Sequence, residues 1–152
     1  MNVLQNIYQA ARMAAGLTQE RAAEALTISV ESLRLYETDR RIPPNCIVAR
    51  MSDLYNTQYL IIQHVRQADD LARSLLPDTQ QRPLEQVSMR LYRLVRDFVQ
   101  RHRTDDLIDI AEDGVIDELE RPKFDEIMAE LEGISAAFYE LRLNGFERRN
   151  HT

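Results

Sequence analysis

Apolar residues recur along most of the chain at three- and four-residue intervals, the period of a helix packed on one side. Leu4, Ile7, Tyr8 and Ala11 predict a first helix over about 3–15, and Gly16 stands where a glycine ends a helix. Thr18 and Ser29 are good N-caps for two short helices, about 18–26 and 29–37. A loop, "TDRRIPP", leads to a fourth helix over about 44–55, with Ile47, Met51 and Leu54 turned inward. Beyond Asn56 the helices lengthen. Ile61, Val65, Ala68, Leu71 and Leu75 form one stripe, closed by "PDTQQRP". Leu84, Val87, Leu91, Leu94 and Phe98 form a second. Ile127, Leu131, Ile134, Phe138 and Leu141 form a third, with polar "QRHRTDD" and then "AEDGVIDELERP" between the two. Seams of this kind suit helix-on-helix packing, within one chain or between two. No segment alternates apolar and polar for long, so the expected fold class is all-α. The tail "NGFERRNHT" is expected to fray.

Charge divides the chain. The net charge is −6 over 152 residues. Residues 1–57 carry six arginines and six acids, while 58–152 hold 13 bases and 19 acids. The expected organisation is therefore a neutral N-terminal domain, 1–57, and an acidic all-helical dimerisation or regulatory region, 58–152. A neutral unit with clustered arginines can bind DNA, with modest nonspecific affinity.

Several function classes find no support. No apolar run approaches the roughly 18 residues of a membrane helix, and no signal peptide is visible. Cys46 is the only cysteine, which suits a reducing cytoplasm, the expected location. His64, His102 and His151 are scattered singly, without zinc spacing. No nucleophile signature or glycine-rich phosphate loop is present. Neither an enzyme nor a cofactor or metal is expected.

The stretch "GLTQERAAEALTISVESLRLYETDRRIPP" meets the demands of a helix-turn-helix. Small Ala22 and Ala23 sit where two helices cross, and Leu26, Ile28, Leu33 and Tyr36 give an inward face. Ser29, Val30, Glu31, Ser32, Arg34 and Leu35 are left to face outward or sit at the rim of a helix that would enter the major groove.

These residues resemble the lambda-repressor-like, Cro/cI-type helix-turn-helix of the XRE family of bacterial regulators. "LTQ" at 17–19 and the spacing of Ala23, Leu26, Ser29, Leu33, Glu37 and Pro43 carry the resemblance, over about 3–55. It implies a five-helix N-terminal domain, here followed by a C-terminal helical hairpin or bundle. It implies Gln19 at the second helix's N-terminus near a phosphate or base. Val30, Glu31, Ser32 and Leu35 would fall on base-facing positions, Arg40 and Arg41 beside the backbone, and Arg12 and Glu37 on the family's ion pair. Two positions depart from the pattern. Thr27 occupies the corner where glycine is usual, and Leu35 replaces a commonly polar reader. Glu31 suits a cytosine amino group or, equally, the dipole of its own helix.

The partner so implied is double-stranded DNA, bound by a homodimer on a palindromic operator. The competing reading is a protein-interaction adaptor whose helix-turn-helix no longer reads DNA. "DIAEDGVIDELE" carries a second ambiguity. Gly114 at the sixth place of a calcium loop would put Asp109, Asp113 and Glu120 at liganding positions, but Ala111 lacks an oxygen at the third. The favoured alternative is a joint in which Asp117 and Glu120 form a capping box.

Overall fold

The computed structural model describes residues 6–147, and among them every regular element is a helix. Two compact units divide at Leu76–Pro77. Val3 and Leu4 of the expected first helix, and residues 148–152 of the tail, lie outside the described residues.

The first unit holds α1 (Ile7–Ala14), α2 (Gln19–Leu26), α3 (Val30–Glu37), α4 (Asn45–Leu54), α5 (Tyr59–Ala68) and α6 (Asp70–Leu75). Side chains close the helix starts. Asn6 Oδ1 accepts from the N–H groups of Tyr8 and Gln9, Thr18 Oγ1 from Arg21, and Ser29 Oγ from Ser32. Gly16 leaves α1 with φ +70°, a conformation that suits glycine. One core unites Tyr8, Ala22, Ala23, Leu26, Leu33, Tyr36, Val48, Met51, Tyr55 and Leu60. Leu60 belongs to α5, so this unit continues past residue 57, where the change in charge suggested a boundary.

His64 fastens the same helix. Its Nε2 lies 2.9 Å from Asn45 Oδ1, and its Nδ1 lies 2.8 Å from the Tyr8 hydroxyl. Asn45 Oδ1 can only accept, so Nε2 carries the proton and Tyr8 donates to Nδ1. The ring is buried, and desolvation lowers its pKa from 6.5. Tyr8 is pushed up to about 12 by burial and by the charge of Asp39. Because folded His64 takes a proton less readily, the unfolded chain binds more protons below about pH 6.5. Its contribution to stability is complete above that pH and declines toward the folded-state pKa. Thermal unfolding at pH 7.5 and 5.5 should show a lower midpoint at the acid pH. His64→Gln should flatten the difference, and an unchanged slope would remove His64 as its source.

The long stripe expected from Ile61 to Leu75 is broken. Asp69 is extended (φ −141°, ψ 121°), ends α5 and caps α6 through the N–H groups of Leu71 and Ala72. Leu71 and Leu75 consequently stand 75% and 82% exposed.

The second unit holds α7 (Leu84–Gln100), α8 (Arg103–Ile110) and most of α9 (Arg121–Glu147). Phe98, Ile110 and Ile127 form its buried cluster, with Leu107, Phe124, Leu131 and Ile134 packed alongside. The second and third seams thus meet each other. Phe138 departs from its seam and is 52% exposed, while neighbouring Ala136, Ala137 and Glu140 are buried. Buried Glu140 accepts from Arg90 at 3.1 Å and from the Gln80 N–H at 2.9 Å, with Arg82 Nε 3.4 Å away. Helix α8 lies in the stretch expected as a polar connection. His102, with φ +56°, turns the chain into it, and Leu107 and Ile110 supply its inward side. The following joint is a capping box. Asp117 Oδ1 accepts from the Leu119 and Glu120 N–H groups, and Glu120 Oε2 accepts from the Asp117 N–H. Glu120, the last ligand of a calcium loop, is therefore committed to the backbone.

Candidate nucleic-acid interface

Helices α2 and α3 cross over Ala22 and Ala23, at 0% and 1% exposure, which lets the backbones approach closely. Leu33, Tyr36 and Glu37 turn α3's other side into the core. Its outer face is fixed by that burial. Val30, Glu31 and Arg34 are exposed, whereas Ser32 and Leu35 are half-buried at the rim. Ser29 is exposed and donates its hydroxyl to Ser32 Oγ at 2.8 Å. Arg34 lies 3.9 Å from Glu31 with both side chains about two-thirds exposed, a pairing worth at most about 1 kcal/mol.

The corner between the two helices is left-handed at Thr27, φ 55° and ψ 44°. An L residue there costs roughly 1–2 kcal/mol. Arg50, from α4, donates to the Thr27 hydroxyl at 3.1 Å and holds the corner from outside. The main-chain N–H groups of Arg40 and Arg41 both donate to the Leu35 carbonyl, at 3.0 and 3.2 Å. Two exposed guanidinium groups are thereby attached directly to the end of α3. Asn6 secures the same end by donating to the Tyr36 carbonyl at 2.9 Å and to Asp39 Oδ1 at 2.6 Å.

Behind this face lies a buried polar cluster. Arg12 Nε donates to Glu37 Oε1 at 2.6 Å, and Arg12 Nη2 to Glu37 Oε2 at 3.0 Å. The side chains are 9% and 1% exposed. Arg12 Nη1 also donates to the Leu17 carbonyl at 2.6 Å. The hydrogen bond to Glu37 raises the Arg12 pKa above its ordinary value. Gln19 is placed here as well: its amide donates to Glu37 Oε2 at 2.7 Å, so the residue assigned by resemblance to a phosphate or base is tied to the end of α3. Tyr55 brings a buried hydroxyl without a hydrogen-bond partner among the described residues. Burial, with a smaller contribution from Glu37, pushes its pKa up to about 12 against the opposing pull of Arg12.

The arrangement is a rigid two-helix corner with one polar face open and arginines at its margin. Residues 9–59 match the model of a helix-turn-helix domain. No curated protein and no solved structure matches the chain. The matched residues run from α1 to the start of α5, and the first unit carries a helix-turn-helix DNA-binding domain. No helix among the described residues is long and apolar enough to cross a membrane. Among the described residues, no three His, Cys, Asp or Glu side chains converge on a common point.

Three contributors were not singled out from the sequence. Asn6 and Arg50 act through contacts 33 and 23 residues away, which no local spacing signals. The third, His64, did leave a signal, falling one helical turn after Leu60 on the inward side of α5.

Proposed function

We propose that this protein is a sequence-specific transcriptional regulator of the lambda-repressor-like Cro/cI type, a repressor acting as a dimer on a palindromic operator. The observation that carries the reading is the open face of α3 within the helix-turn-helix match, flanked by exposed Arg40 and Arg41. Val30 and Glu31 present side chains suited to a thymine methyl and a cytosine amino group. Ser32 and Leu35 contact bases at the rim, Ser29 and Arg34 complete the surface, and Arg40 and Arg41 neutralise phosphates. Gln19, half-buried at the start of α2, meets a phosphate or base there while its amide fixes Glu37. Two copies are needed because one small module covers only a half-site.

Selection of genomic fragments by the purified full chain, at one stated salt concentration, tests this directly. A two-fold site with half-sites about one helical turn apart is expected. Arg41→Ala should weaken binding to all sequences alike and lower the salt slope by about 1, the release of one phosphate's counterions. Glu31→Ala should instead change preference at one position per half-site, where a base contact is worth about 1–3 kcal/mol. Weak, salt-labile binding with no preferred sequence, unmoved by changes at Glu31 or Ser32, would favour the adaptor.

A further inference from the structure

Helix α7 carries a second apolar strip beside the one it buries. Val87 and Phe98 face the interior of the second unit. Met89, Tyr92, Val95 and Val99, spaced at three, three and four residues, are 56%, 60%, 43% and 59% exposed and share the outward side. The helix carries three arginines, 90, 93 and 96, against Glu85 and Asp97, although its unit is acidic. Arg90 is held by Glu140 and Arg96 by Asp97, so Arg93 carries most of the strip's positive charge. The Arg96 guanidinium lies 5.7 Å from the centre of the Tyr92 ring. This is a basic-apolar strip.

Residues 105–120 are its chemical complement. They contain eight acids and no base. Ile108, Val115 and Leu119 stand 69%, 64% and 88% exposed among them. The same compact unit therefore exposes a basic-apolar strip on α7 and, within 105–120, three apolar side chains among carboxylates, of which Asp106 is already paired with Arg103 and Lys123 and Asp117 and Glu120 form the capping box.

We infer that these strips are the two halves of a dimer interface, with α7 of each copy covered by residues 105–120 of the other. A two-fold axis makes the pairing reciprocal, so both strips on both copies are buried at once. An unrelated acidic or basic partner would complement only one of them. Area favours the same arrangement. The outward side of a 17-residue helix measures about 25 by 10 Å, well short of the ~800 Å² per partner in a stable interface. The second strip supplies the remainder. Charge opposition of Arg93 to carboxylates, with Arg96 exchanging Asp97 for a carboxylate of the other copy, fixes the register and disfavours a pairing of α7 with α7, which would set arginines against arginines. The inference deepens the dimer in the proposed function and needs no DNA to be tested.

Sedimentation of the full chain at tens of micromolar is the measurement, with circular dichroism confirming that each variant is folded. Neither Val99 nor Leu119 is buried, so substituting them leaves the core intact. The chain should sediment as a dimer. Val99→Glu and Leu119→Glu should each raise its dissociation constant about tenfold or more, as loss of a central interface contact does. Arg93→Glu combined with Arg96→Glu should weaken it similarly, and added salt should reduce the difference from the unaltered chain. A monomeric full chain, or a dimer indifferent to Val99→Glu or to Leu119→Glu, overturns the inference. A dimer built on another face would leave the DNA-binding reading standing, whereas a correct interface on a chain without sequence preference would separate the two the other way.

Discussion

Glu37→Ala is expected to destabilise the first unit by about 3–5 kcal/mol, the usual cost of leaving one partner of a buried ion pair alone. The geometry explains why the loss belongs at the upper end of substitution effects. Glu37 has a side chain 1% exposed and accepts three hydrogen bonds, two from Arg12 and one from Gln19. Its removal leaves the Arg12 guanidinium buried without its two-pronged carboxylate partner, keeping the hydrogen bond to the Leu17 carbonyl. It also releases Gln19, which links the start of α2 to the end of α3. Exposed Glu24 has no such role, and Glu24→Ala should change stability by no more than about 0.5 kcal/mol. Urea unfolding of the two variants compares them directly. Equal small losses would show that the pair contributes little. Because Glu37 also ends the proposed reading helix, its loss should lower DNA affinity only through folding. At temperatures where the variant remains folded, sequence preference should be unchanged.

The helix-turn-helix was legible because its determinants are local. Thr18 and Ser29 cap within three residues, Gly16 turns where it stands, and Ala22 and Ala23 are small in adjacent positions. The capping box at Asp117 and Glu120 belongs to the same class. Features decided by distant partners were harder to read. The resemblance supplied a pairing for Arg12 and Glu37 and a DNA contact for Gln19, but it did not signal the bond from Gln19 to a carboxylate 18 residues away. Periodicity alone also misleads where the chain breaks at a polar residue. The apolar interval from Val65 to Leu75 continues a helical pattern, yet Asp69 gains two backbone hydrogen bonds by leaving the helix. Likewise Phe138 keeps the spacing of its seam but not its burial, because Ala137 and Glu140 occupy the side that packs. Helix α8 escaped notice because eight residues carry too few apolar positions to establish a period.

The position of the first unit's end has a measurable consequence, since charge and packing disagree about it. A fragment of residues 1–57 contains the whole neutral segment and nearly all of the helix-turn-helix match, but it lacks α5. Leu60 is fully buried among Tyr8, Met51 and the other core side chains, and His64 joins Tyr8 on α1 to Asn45 on α4. Cutting at 57 would open the core on that side and strand the Tyr8 hydroxyl. Fragment 1–76 retains these contacts and ends at the boundary between the first unit's main segment and the second unit. It should unfold cooperatively, whereas 1–57 should show a much lower midpoint or no cooperative transition at 25 °C. Leu60→Ala in fragment 1–76 isolates the packing contribution, with an expected loss of about 2–5 kcal/mol for a large-to-small change in a filled core. That is a large share of the stability available to a domain of this size. Circular dichroism melts of the three polypeptides decide the matter. If 1–57 melts as sharply and at the same temperature as 1–76, α5 is dispensable to the DNA-binding fold, and the boundary belongs where the charge changes.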